Sequence, residues 1–183
     1  MKILKQHDKA RCALLICDML NDFVKEGAPL EVPKARAIID NIKKELKKSR
    51  KKRIPVIFCC DAHKKFDREF KLWSRHAVKG TDGAQVIKEL HPHRQDYLVN
   101  KTSYSCFYKT SLDRILKRCG ITHIIITGVV TNICILYTVA EAYMRGYQIV
   151  IPDNCVAALT QHEHQFAIEQ MRHLFHADII SAS

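Results

Sequence analysis

Ile124-Ile125-Ile126-Thr127-Gly128-Val129-Val130-Thr131-Asn132-Ile133-Cys134 divides at its glycine. The apolar run that enters it reads as a buried strand, because a strand covered on both faces shows no polar alternation. Residues 132–145, which leave it, carry an amphipathic helical pattern. Cys134 therefore falls in the first turn of a helix, just past the end of a strand. A helix N-terminus offers partial positive charge and unpaired N–H groups, and both favour an anion. A thiol placed there is expected to have a lowered pKa. The stretch predicts a strand–turn–helix unit with Cys134 as its nucleophile.

The same alternation extends in both directions. Arg11-Cys12-Ala13-Leu14-Leu15-Ile16-Cys17 reads as a strand ending at Asp18. Pro33 opens a helix, as suits the first helical position, and Ile38, Ile42 and Leu46 form its core stripe. Ile54-Pro55-Val56-Ile57-Phe58-Cys59-Cys60 is a second strand, ending at Asp61. Residues 62–83 are polar and too long for a simple connection, which marks a functional loop. A short helix is expected over residues 84–90, then the strand Tyr97-Leu98-Val99 leading to Lys101. Residues 111–119 read as a helix stopped by Gly120. Residues 121–127 and 148–151 read as strands, 161–175 as a helix and 178–180 as a terminal strand. This order predicts a three-layer α/β/α fold around a central, mainly parallel sheet, as a single domain over residues 1–183.

Composition narrows the function classes. No apolar run reaches the ~18–20 residues of a membrane span, and Met1-Lys2-Ile3-Leu4-Lys5-Gln6-His7-Asp8 has no signal-peptide apolar region, so the cytoplasm is the expected compartment and no membrane partner is expected. The eight cysteines include no C-x-x-C pair and read as small buried hydrophobes rather than a disulfide framework. The formal charge is +11. Residues 43–53 hold eight basic side chains with Glu45 the only acid. Such a cluster is either a nucleic-acid footprint or the solvated end of a helix, where cations suit the dipole. No aromatic residue interleaves it, which favours the second reading.

In parallel sheets ligands bind beyond the C-terminal strand ends. Asp18, Asp61, Lys101 and Cys134 all stand at or just after such ends. A thiol needs a base to become a nucleophile. A buried carboxylate raised by desolvation and lowered again by an ammonium can serve, and Asp18 with Lys101 is such a pair.

Four segments together carry a resemblance. Cys17-Asp18-Met19-Leu20-Asn21-Asp22-Phe23 looks like the D-x-x-x-D-F signature of the isochorismatase-like cysteine hydrolases. Lys101 through Ser105-Cys106-Phe107 resembles their K-x-x-x-S-x-F segment, Gly128 to Cys134 their G-V-x-T-x-x-C motif, and Asp153-Asn154-Cys155-Val156-Ala157 their D-x-C-x-A stretch. The resemblance implies Asp18, Lys101 and Cys134 as a catalytic triad. It also implies a cis peptide between Val129 and Val130, with the backbone N–H groups of Val130 and Cys134 as oxyanion donors.

Within that family, Asp61-Ala62-His63, Glu69, Trp73, His76 and Gly80-Thr81-Asp82-Gly83-Ala84 resemble the nicotinamidase branch. That branch implies a divalent metal on Asp61, His63 and His76, with Glu69 as fourth side chain and Asp67 its rival. The donor set suits zinc first, then iron or manganese. It further implies a small-molecule amide substrate, nicotinamide, flanked by Phe23 and Trp73; a homo-oligomer is expected. Three features depart from the branch: Leu20 stands where glutamine is common, Ala77 where cysteine is common, and residues 73–76 lack a proline. The N-carbamoylsarcosine amidase type shares the triad and a similar Tyr104-Ser105-x-Phe107-Tyr108 run, and is the alternative. The histidine pairs at 91 and 93, 162 and 164, and 173 and 176 are expected to be solvated.

Overall fold

The computed structural model describes residues 11–181; the leader reading of residues 1–8 lies outside them. Among the described residues seven strands form one parallel sheet: β1 Cys12–Cys17, β2 Val56–Asp61, β3 Tyr97–Lys101, β4 His123–Val129, β5 Gln148–Pro152, β6 Val156–Ala157 and β7 Asp178–Ile180. The order is β3-β2-β1-β4-β5-β7, with the short β6 paired to the end of β4. Helices α1 Asn21–Val24, α2 Ala35–Lys51, α3 Leu112–Arg118, α4 Leu136–Met144 and α5 Gln161–Phe175 complete the described fold.

Strand side chains alternate between faces, and the core divides accordingly. Ala13, Leu15 and Cys17 of β1 pack with Leu116 of α3, Val139 of α4 and Met171 of α5. Leu14 and Ile16 face the other way, against Ile38, Ile42 and Leu46 of α2. All of these are buried. This is the expected α/β/α arrangement, with both sheet faces covered as parallel strands require.

Registration places the reactive strand ends together. Cys17 pairs with Cys59 on one side and Gly128 on the other, and Asp61 pairs with Lys101. The chain leaves β1 towards β2 and β3, then returns to place β4 on β1's other edge. The strand order therefore reverses between β1 and β4, the position where open α/β sheets form a crevice. Gly128 makes that crevice tight: its φ is +109°, and a Cβ there would lie 2.0 Å from the carbonyl oxygen of Cys17. The expected cis Val129–Val130 peptide is present.

Several expectations needed correction. Residues 84–90 do not form a helix. They break into 3₁₀ turns at Asp82–Ala84 and Lys88–Leu90, because the backbone between them pairs with the start of α1: Asn21 donates to Gln85 O at 3.0 Å and Ile87 donates to Met19 O at 3.0 Å. The elements α1 and β6 are too short to show a sequence period. The helix after Pro33 begins at Ala35. The Cys134 helix opens as a π-helical turn, Thr131–Ile135, before α4 proper. The basic cluster forms the C-terminal half of α2. Within it Arg50 donates to His91 O at 3.3 Å and pairs with Asp96, while Lys48 pairs with the buried Glu45 at 3.1 Å. Among the described residues, no helix is long and apolar enough to cross a membrane.

Gly128→Ala combines a disfavoured φ with a backbone collision, and is expected to destabilise the fold by about 3 kcal/mol or more. Urea denaturation checks this; a midpoint within error of the parent would contradict the close approach of β1 and β4.

Candidate active site

Cys134, Asp18 and Lys101 meet where β1, β3 and β4 end. All three are at least nine-tenths buried, with Asp18 1% and Lys101 2% exposed. Asp18 turns out of β1 in the left-handed region, φ +50°, a conformation aspartate tolerates better than most residues. Its N–H donates to Cys59 O at 2.9 Å, and its Oδ1 accepts the Asp61 N–H at 2.8 Å. Lys101 is the hub. Its Nζ donates to Asp61 Oδ1 at 2.7 Å and to Ser103 O at 3.1 Å, lies 2.8 Å from Asp18 Oδ2, and reaches Cys134 Sγ at 3.5 Å.

These contacts set the charges. Burial opposes the Lys101 ammonium, but Asp18 and Asp61 hold its pKa well above the usual lysine range. Burial and the nearby Asp61 raise Asp18 to about 7, with Lys101 offsetting part of the rise. Burial likewise pushes the Cys134 thiol well above its ordinary value; Lys101 pulls it down, while Asp18 and Asp61 add to the rise. The expected lowering of the Cys134 pKa is therefore not found. A helix N-terminus favours a thiolate only where desolvation and facing carboxylates do not dominate. The resting group is a thiol beside a carboxylate that can take its proton.

The second cluster adjoins the first. Asp61, His63 and His76 present donor atoms within 4.8 Å of one another. Asp61 Oδ2 lies 3.6 Å from His63 Nε2 and 4.0 Å from His76 Nε2, and Glu69 Oε1 lies 3.9 Å from His76 Nε2. Of the outer ring nitrogens, His76 Nδ1 contacts Ser74 O at 2.7 Å, and Asp67 Oδ2 sits 3.3 Å from His63 Nδ1. Both ring nitrogens of His63 are buried without a hydrogen-bond partner. Two imidazoles and a carboxylate converging around such an orphaned nitrogen fit a divalent cation with nitrogen and oxygen ligands. Asp67 and Glu69 thus divide: Glu69 faces the cluster, while Asp67 stands behind His63.

One cavity of about 330 Å³ is lined by Cys134 of the first cluster and by Asp61, His76 and Glu69 of the second, while Asp18, Lys101 and His63 stand behind its wall. Phe23, Trp73, His76, Tyr104, Val130 and Cys134 are among its walls. Trp73 Nε1 donates to Tyr104 Oη at 3.1 Å, which fixes the indole plane. Cys134 is the only one of the eight cysteines in that lining.

Sequence reasoning missed several supports. Asp22 Oδ2 accepts the N–H of Ala77 at 2.8 Å, pinning a residue at φ +42° directly after His76. Phe70 packs edge-on against both histidine rings, with centroids 5.5 and 5.6 Å away. Ser105 donates to Glu141 of α4 and accepts from Phe107 N at 3.1 Å, joining the loop after β3 to the Cys134 helix. His164 is not solvated as expected: it is wedged between Thr131 and Asp153. His93 also has a partner, Arg50, at 3.1 Å.

The isochorismatase-domain family profile matches residues 12–183. The chain belongs to the isochorismatase family. Solved members are similar over nearly the whole length. N-carbamoylsarcosine amidase from Thermoplasma acidophilum is 32% identical with a TM-score of 0.87, over 94% of this chain and 97% of that one. The nicotinamidase/pyrazinamidase PncA from Bacillus subtilis is 30% identical with a TM-score of 0.89, over 93% and 100%. Pyrazinamidase from Pyrococcus horikoshii, solved in complex with zinc, is 25% identical with a TM-score of 0.88, over 93% and 99%. This isochorismatase-family protein is an amidohydrolase in class; overall identity does not separate the two substrate branches.

Metal analysis of the purified protein is expected to find one divalent ion per chain, lost in His63→Ala. Asp67→Asn should keep the stoichiometry but weaken affinity about 10–100-fold, as removal of an orienting group does. Unchanged affinity in that variant would show that Asp67 does not orient His63.

Proposed function

We propose that this chain hydrolyses nicotinamide to nicotinate and ammonia through a thioester on Cys134. The observation that carries the reading is that Asp61 and His76 of the Asp61–His63–His76 cluster line the same aromatic-walled cavity as Cys134. The N-carbamoylsarcosine-type alternative uses the same triad but gives that cluster no task.

In this reading the flat pyridine ring enters between Phe23 and Trp73, with the usual gain from aromatic packing. Asp61, His63 and His76, with Glu69 as fourth side chain, would hold a divalent cation, zinc by this donor set and by the zinc complex of the Pyrococcus relative, which would supply Lewis acidity for a ring nitrogen. Ring binding then presents the carboxamide to Cys134. Asp18 takes the thiol proton as Sγ attacks the carbonyl carbon. Lys101 holds Asp18 and steadies the sulfur's developing charge. The backbone N–H groups of Val130 and Cys134 receive the oxyanion. As the tetrahedral centre collapses, the C–N bond breaks and Asp18 passes its proton to the leaving ammonia. Asp18 then deprotonates a water that attacks the thioester, the C–S bond breaks, and Cys134 regains a proton as nicotinate leaves. An Asp18 pKa of about 7 suits a group that both accepts and donates in one cycle.

Ammonia release tests the proposal. The parent protein is expected to turn over nicotinamide, and Cys134→Ala to lose at least about 10⁴-fold in kcat, since nucleophile removal abolishes the covalent route. Release from N-carbamoylsarcosine without nicotinamide turnover would transfer the protein to the other branch.

A further inference from the structure

The elbow that carries Val130 and Cys134 is clasped from outside by the first turn of α5. His164 Nδ1 lies 3.1 Å from Thr131 Oγ1, and its Nε2 lies 3.0 Å from Asp153 Oδ1. Thr131 is completely buried, and the His164 side chain is 14% exposed. The carboxylate fixes the ring's hydrogen bonding: with Nε2–H donating to Asp153, Nδ1 becomes an acceptor for the Thr131 hydroxyl. The preceding residue makes a parallel contact, Asn132 Nδ2 donating to Glu163 Oε1 at 3.5 Å.

Glu163 is itself immobilised. Its carboxylate accepts the Thr160 N–H at 3.0 Å while the Thr160 side chain accepts the Glu163 N–H at 3.2 Å, a complete capping box. The α5 N-terminus is therefore a rigid anchor, and two consecutive residues of it hold two consecutive residues of the elbow. Asp153 follows β5 directly, so the relay runs from the sheet, through a helix, to the turn beside the nucleophile. Backbone bonds within the turn complete the path, since Ile133 and Ile135 both donate to Val130 O at 3.1 Å.

We propose that His164, oriented by Asp153, is a positioning residue of the hydrolase: by holding the Thr131 hydroxyl it keeps Cys134 Sγ and the Val130 N–H aligned with Asp18 and Lys101. It touches neither substrate nor reacting atoms. Its effect belongs in the rate of attack rather than in ground-state binding, because displacement of a nucleophile by about 1 Å costs up to a hundredfold. The inference rests on the amidohydrolase reading for its kinetic test, so a substrate-independent measurement accompanies it.

The variants are His164→Phe, which keeps ring volume without the bonds, His164→Gln, which restores a polar partner, Thr131→Val, and the Thr131→Val/His164→Phe pair. With amide substrate, His164→Phe is expected to lose about 10–100-fold in kcat with KM changed less than about threefold, and His164→Gln to recover at least about threefold of that loss. The pair is expected to be no worse than its weaker member, since one bond is cut twice. In parallel, iodoacetamide alkylation of Cys134 is followed by peptide mass spectrometry. Sulfur displaces iodide, forming an S–C bond as the C–I bond breaks, and the thiol proton leaves to solvent. His164→Phe is expected to alter this rate at least about threefold while His164→Gln returns towards the parent.

Thermal melts establish that the proteins compared are folded; where His164→Phe does not fold, His164→Gln and Thr131→Val carry the same comparison. Parent-like kcat and parent-like alkylation in folded His164→Phe, or independent and multiplicative losses in the pair, would overturn the proposal. If the parent cleaves no amide, the nicotinamide reading fails while the alkylation arm still decides the role of His164.

Discussion

One buried ammonium organises this molecule. Lys101 Nζ sits within 2.8 Å of an oxygen on each of Asp18 and Asp61, in a site almost without solvent. Each ion removed from water costs several kcal/mol even after relaxation, and only close pairing offsets that. Neither carboxylate is tolerable there without the lysine, and the lysine is not tolerable without at least one of them. The arrangement is thus poor evidence of stabilisation and good evidence of function, because a similarly shaped apolar cluster would cost less to bury. The surrounding architecture is what makes it affordable: three adjacent strands end in register, so the three charges arrive without any long side chain having to search for a partner.

The sheet and the site were legible to different degrees, for physical reasons. Strands such as Ile124-Ile125-Ile126 and helices such as α5 announce themselves because burial on both faces, or on one stripe, is written in the residues concerned. The strand-end positions of Asp18, Asp61, Lys101 and Cys134 followed from that, and family motifs supplied the grouping. Elements of two to four residues, α1 and β6, carry no period to read. The segment at 84–90 has helical composition, but its backbone groups found partners at residues 19–21, a non-local choice that local propensity cannot report.

The raised pKa of the Cys134 thiol is hidden from the sequence for a related reason. Position at a helix start is a local property, whereas burial beside Asp18 and Asp61 depends on three separated segments. The same holds for His164. In the sequence it stands in the polar run Thr160-Gln161-His162-Glu163-His164-Gln165, indistinguishable from a solvated helix face. Only folding brings Asp153 and Thr131 to opposite sides of its ring. A histidine near a helix N-terminus, followed at three-residue spacing by apolar residues such as Ala167, is compatible with either outcome.

Asp61 joins the two halves of the site and limits how independently they can change. One oxygen takes a Lys101 proton and the other faces His63 and His76. A cation held by the imidazoles would compete with Lys101 for the electron density of one carboxylate group, and Lys101 would then lean further on Asp18 and on the sulfur. The histidine cluster and the ammonium beside the thiol are in any case joined through a single side chain, at contact distance. A shortened Asp61 would damage both functions together, and a changed ligand set at residues 63 or 76 would be felt at Cys134 without any movement of the sheet. In the proposed reaction, substrate choice and nucleophile activation would consequently not be separable modules, although they draw on different loops.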